Sequence, residues 1–172
     1  MFFLNCASNL KENLYLCSKI SEMRESKSIS TPSVQRLQLP KYVDERGVLT
    51  VAEGCIDIPF DIARIFWISN VPSESHRGGH AHWSCHEAIF AVRGSFEIEI
   101  DDGSTVAAFV LTEGGDGVVV PAGAWCDLRA FSTDALCLVM ASESYDVTGY
   151  CHNKEEWRQA FVSRSKLKNR IE

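Results

Sequence analysis

No stretch of this 172-residue chain reaches the roughly 18 apolar residues that a membrane-spanning helix requires. Basic residues are also scarce: 17 Lys and Arg stand against 23 Asp and Glu, a net charge of -6. That balance argues against a nucleic-acid partner, which needs a clustered basic surface, but leaves room for a nucleotide held by a few arginines. The seven cysteines (Cys6, Cys17, Cys55, Cys85, Cys126, Cys137, Cys151) are odd in number and never form a CxxC pair. This excludes the paired spacing of zinc and dithiol sites and predicts reduced thiols in the cytoplasm. The first residues, MFFLNCASNL, lack a basic flank, and their apolar run is too short for a signal peptide. Alternation of strands with helices is missing as well, which excludes a parallel α/β sheet. What is present, 45% hydrophobic and 10% aromatic residues, suits one globular domain with a sizeable core.

Residues 1–33 read as an N-terminal extension, weakly helical over LKENLYLCSKISEM and linker-like over SKSISTPS. It is expected to be poorly ordered or to dock as a short helix. The folded domain is expected over 34–172. VQRLQLP, VLTVAEG and IPFDIARIFWISNV read as strands, and FEIEIDDGSTVAAFVL as a hairpin turning at Asp102 and Gly103. The hairpin places Phe96, Ile98 and Ile100 on one face and Glu97 and Glu99 on the other. VVVP and DALCLVMAS supply further apolar strands. A helical pattern appears only from about residue 153, with Trp157, Ala160 and Phe161 on one side. About nine or ten short strands and a terminal helix predict an all-β sandwich or barrel.

The chemistry concentrates in Arg77–Gly94, RGGHAHWSCHEAIFAVRG. His80 and His82 stand two apart, so a strand would point both imidazoles to one face, and Glu87 follows after four residues and Gly94 after six more. Downstream, Gly115, Pro121 and Gly123 have the spacing of the second cupin motif, with Cys126 in its histidine place. Two such motifs separated by a hairpin predict a double-stranded β-helix, the cupin jelly roll, with a C-terminal helix.

The blocks DERGVLTVAEG, IPFDIARIFWI, RGGHAH, GSFEIEIDDG, VPAGAW and FSTDALCLVMASESYD, with the later GY, together resemble the nucleotide-sugar 3,4-ketoisomerases, from about Asp44 to Phe161. That resemblance implies a cytoplasmic, metal-independent cupin converting dTDP-4-keto-6-deoxyglucose to its 3-keto isomer, on the way to amino sugars of surface polysaccharide. It also implies a homodimer, with exchange of the segment from Val34 to Glu53. The reaction removes the C3 proton and returns one to C4 through an enediolate, which calls for a base near neutral pH and a donor to the developing oxyanion. The resemblance makes His80 and His82 the catalytic pair. His82 is read as the proton shuttle and His80 as its partner on the sugar oxygens, in an order that can be reversed. Arg64 and Arg77 suit the diphosphate, since guanidinium forks match phosphate oxygens. Phe66, Trp67 or Trp125 can stack on thymine, and Glu87 is expected to orient a histidine.

The chain departs from the family at three places. Phe66 and Trp67 stand where tyrosines are usual, Glu87 where glutamine is common, and Cys126 where a histidine follows the tryptophan. These departures carry two alternatives: a metal-dependent cupin with one divalent ion on His80, His82, Glu87 and Cys126, and a nucleotide-sugar-binding cupin without catalysis. His76, His86 and His152 read as surface loop residues, and Arg93 as a solvated strand end. Tyr145 and Tyr150 match family positions, with packing and function both open.

Overall fold

The computed structural model describes residues 33–160. The expected N-terminal extension, apart from residue 33, and the end of the expected C-terminal helix lie outside them. Twelve strands follow one another: β1 (Gln35–Leu37), β2 (Lys41–Asp44), β3 (Gly47–Thr50), β4 (Arg64–Ser69), β5 (Arg77–His82), β6 (Glu87–Arg93), β7 (Ser95–Asp101), β8 (Val106–Thr112), β9 (Gly117–Val120), β10 (Trp125–Arg129), β11 (Leu136–Ala141) and β12 (Tyr150–Cys151). The architecture is the expected all-β jelly roll. One five-stranded antiparallel sheet runs β1-β9-β6-β11-β4 and the other β12-β5-β10-β7-β8.

Alternation along the strands explains the sandwich. In β7, Phe96, Ile98 and Ile100 are fully buried, while Glu97 and Glu99 face out and meet Arg129 of β10 at 3.1 and 3.5 Å. The inward apolar residues join Ile89, Leu111, Val118, Leu128, Cys137 and Val139 in one core between the sheets. The first sheet is covered on its other side too, where Ile58 and Phe60 pack on Ala88, Phe90, Val119 and Met140. Strand β6 is therefore buried on both faces from Glu87 to Ala91, so its apolar residues run on without alternation. Outside the second sheet, Trp125 and Trp157 pack with Ala81 and Cys151. Trp157 sits in the helix over 154–160, whose N-terminus is capped by the Asn153 side chain accepting from the amides of Glu155 and Glu156. Its indole N–H donates to the Gly123 carbonyl at 2.7 Å.

The β2–β3 hairpin pairs within itself and leaves Tyr42, Val43, Val48 and Leu49 more than half exposed. Gly94 makes the tight β6-to-β7 connection at φ +64°, where a Cβ would lie 2.2 Å from Ser132 Oγ and 3.0 Å from Ala135 Cα. Left-handed strain and overpacking add at that position. Gly94→Ala is expected to lower the unfolding free energy by about 2–3 kcal/mol, read from the urea midpoint at unchanged m-value.

Candidate active site

Strand β5 carries the two histidines, and its pairing with β10 contains an irregularity that sets their company. The register runs Ala81 with Trp125 and His80 with Cys126, then shifts so that Gly78 meets Asp127 and Arg77 meets Leu128. Gly78 and Gly79 both have positive φ, +78° and +67°, and a Cβ on Gly78 would lie 2.5 Å from the Cys126 carbonyl oxygen. Only glycine accepts this bulge cheaply. In an unbroken strand, residues 77 and 80 would face opposite ways. The extra residue restores the phase: Arg77, paired with the core residue Leu128, stands on the His80 and His82 side at the exposed end of the strand.

The His80 imidazole lines a cavity of about 110 Å³ between the sheets, together with Phe66, Glu87, Cys126 and Tyr150, and the His82 imidazole stands next to it. Their rings are perpendicular, with centroids 5.0 Å apart. His80 Nδ1 lies 3.0 Å from the Gly78 carbonyl oxygen. A carbonyl only accepts, so this contact assigns the proton to Nδ1 and leaves the Nε2 lone pair free. Burial pushes the His80 pKa below the ordinary 6.5, opposed by the Gly78 bond and reinforced by His82. The imidazole is therefore neutral near pH 7, as a base must be.

His82 and Glu87, 6% and 5% exposed, approach from opposite sheets to 3.2 Å between Nε2 and Oε1. The ring N–H direction misses the oxygen, so the contact is close without being an aligned hydrogen bond. Cys126 is wholly buried, and loss of solvent pushes its thiol well above the ordinary value, with Glu87 adding to the shift. Arg64 points inward from β4, its guanidinium 5.1 Å from the Phe66 ring and 5.6 Å from that of Tyr145.

Two expected substrate contacts are not brought to this cavity. Trp67 is 67% exposed, because Arg64, Phe66 and Ile68 take the inward face of β4 and alternation sends Trp67 outward. Trp125 is buried on the outer side of its sheet against Trp157, with its indole N–H donating to Asp127 at 2.8 Å, since Cys126 holds the inward position. Phe66 is the member of the aromatic trio that lines the cavity. Two residues read as loop surface have partners instead. His86 Nδ1 accepts from the Ala122 amide while its ring stacks on Phe60, and His152 stacks on Tyr150 at 5.6 Å, its centroid 5.7 Å from His80. Tyr150 itself sits 4.2 Å from His82. Strand β12 is two residues long and gives no alternation to read, so pattern alone could not place these side chains.

One ligand atom from each of His80, His82 and Glu87 lies within 4.8 Å of the others, the grouping among the described residues able to hold a metal ion. The cupin quartet is met at three places and not at the fourth: Cys126 is not among the residues whose ligand atoms gather within that distance.

A sequence model of the family described as FdtA, WxcM-like, C-terminal matches residues 32–162. The chain belongs to this family. The curated relative TDP-4-oxo-6-deoxy-α-D-glucose-3,4-oxoisomerase of Aneurinibacillus thermoaerophilus is 30% identical over 123 residues, which is 72% of this WxcM-like chain and 88% of the relative. The solved QdtA sugar 3,4-ketoisomerase of Thermoanaerobacterium thermosaccharolyticum, in complex with TDP, is similar at 30% identity and TM-score 0.73, over 76% of this chain and 96% of its own. The WlaRB TDP-quinovose 3,4-ketoisomerase of Campylobacter jejuni is similar at 29% identity and TM-score 0.71, over 74% and 98%. Among the described residues of the WxcM-like chain, no helix is long and apolar enough to cross a membrane.

The burial of His80 has a direct spectroscopic consequence. In an NMR titration its imidazole resonances are expected to move with a midpoint below 6.5. A His80 midpoint at or above that value would contradict the assigned environment.

Proposed function

We propose that this chain moves the keto group of a dTDP-4-keto-6-deoxyhexose from C4 to C3 by histidine-mediated proton transfer, without a cofactor, in the cytoplasmic synthesis of amino sugars for surface polysaccharide. The observation that carries the reading is the His80 pair geometry. One neutral imidazole, held by a backbone carbonyl with its other nitrogen free, shares a cavity with the Glu87 carboxylate and stands 5.0 Å from a second imidazole. The family membership supplies the substrate class.

Isomerisation moves two protons. The one on C3, acidified by the neighbouring carbonyl, goes to C4, and the one on the C3 hydroxyl goes to the C4 oxygen. His80 Nε2 takes the C3 proton and returns it to C4, because its partner nitrogen is already committed to Gly78. His82, with Glu87 beside it, serves the oxygens. This is the reverse of the order first read from the resemblance, which was open to reversal. Arg77, at the exposed end of β5 and on the histidine side, suits the diphosphate, which a cavity of about 110 Å³ leaves outside. Arg64 lies deeper, among rings, and is less suited to phosphate than the sequence implied.

The absence of Cys126 from the group of gathered ligand atoms supports the cofactor-free reading over a four-residue metal site, whereas the His80, His82 and Glu87 grouping favours a metal. A homodimer accounts for the apolar β2–β3 hairpin, since Tyr42, Val43, Val48 and Leu49 find no cover within the described residues of one chain.

Purified protein given dTDP-4-keto-6-deoxyglucose is expected to form the 3-keto isomer at an undiminished rate in excess chelator. Loss of turnover on chelation, with recovery on adding a divalent ion, establishes the metal reading instead. Binding without exchange of the C3 proton for solvent deuterium establishes a non-catalytic cupin. His80→Asn is expected to lower kcat by about 100-fold or more. Because the base must be neutral, kcat/KM falls as pH drops through the His80 pKa, so the acid limb is expected below 6.5. Light scattering is expected to give twice the chain mass for the unmodified protein, and a monomer mass rules the hairpin interface out.

A further inference from the structure

The oxygen side of the reaction has a second occupant. Tyr150 is the tyrosine that lines the cavity. It opens β12, pairs with His82 across β5, and holds its ring 4.2 Å from the His82 ring and 5.1 Å from that of His80. His152 stacks on it at an interplanar angle of 6°, fixing the ring plane. Burial raises the Tyr150 pKa above its ordinary value, and the Arg64 side chain opposes that rise. A phenol hydroxyl both donates and accepts, and at neutral pH this one holds a proton that it can give into the cavity. Across the cavity Phe66 presents a bare ring, so no hydroxyl is offered from β4.

Resting on the ketoisomerase reading above, we infer that Tyr150 is a catalytic residue that carries a proton on the oxygen side. As His80 removes the C3 proton and the C3–C4 double bond forms, the C4 carbonyl electrons move onto its oxygen, and the Tyr150 hydroxyl delivers its proton there. The Arg64 guanidinium, whose charge opposes the rise of the Tyr150 pKa, offsets the charge of the phenolate left behind. It regains a proton from the C3 hydroxyl through His82 as the C3 carbonyl forms, while His80 returns the carbon proton to C4. Every group ends in the state in which it began, and no oxidant or reductant is needed. The departure at Phe66 is thereby offset: the wall that lacks a hydroxyl faces one that supplies it.

Tyr150→Phe keeps the ring and its stacking and removes the oxygen alone. It is expected to lower kcat about 100-fold with KM changed less than about threefold and the melting temperature unchanged. Adding Phe66→Tyr to that variant is expected to restore at least about tenfold of the loss, by offering a hydroxyl from the opposite wall. A Tyr150→Phe enzyme that keeps more than about a third of kcat, or that loses affinity alone, overturns the assignment. So does a double variant no faster than Tyr150→Phe. An unmodified chain that does not isomerise the substrate removes the function and this assignment together, whereas an active chain indifferent to Tyr150→Phe removes this assignment alone.

Discussion

The meeting of His82 and Glu87 between two sheets is the constraint on which the rest of the site depends. An imidazole and a carboxylate, each at least nine-tenths buried, lose most of their hydration, and a lone buried carboxylate costs several kcal/mol unless something answers its charge. Each is tolerable here because the other is within 3.2 Å. Only Asp101 joins them as a buried charged or polar residue among those described, and it is occupied by the Gly103 amide of a turn. The surrounding core is apolar and continuous, so this end of the sandwich is the place where it stops short and leaves a cavity.

Much of this was legible in the sequence because period-two alternation is a strong signal when one face is wet and the other dry. The β7–β8 hairpin and the inward pair of histidines followed from it, whereas β6, buried on both faces, has no alternation to read. The same rule, applied one step further, sends Trp67 and Trp125 outward, since Phe66 and Cys126 hold the inward positions. Their aromatic character drew attention that their parity did not support. What alternation could not convey was the phase shift at Gly78 and Gly79, which is visible only once β5 is laid against β10. Tyr150 and His152 were hidden for a different reason. A two-residue strand has no period, and its place beside His82 comes from a pairing made across most of the domain.

The histidines divide their labour through their surroundings rather than through their own chemistry. Identical side chains two residues apart receive different partners: a backbone carbonyl for His80, a carboxylate and a phenol ring for His82. A carbonyl fixes a tautomer without contributing net charge, which suits a group that must begin neutral. A carboxylate offers acceptor oxygens at close range, which suits a group that exchanges protons between oxygens. Cys126, facing both, contributes volume and an intact S–H bond and leaves the balance of charge to Glu87.

The paired glycines of β5 act as a gear in the strand. They let the chain advance by one residue without advancing the sheet, so the spacing between the cationic end and the reacting end is set locally while the ladder on either side stays in step. A shape of this kind separates two problems that a plain strand would tie together: how far an anionic group sits from the sugar ring, and which face of the sheet both belong to. Loss of one glycine would leave both histidines in place and turn Arg77 to the far side, making an intact reaction centre with its anchor on the wrong wall.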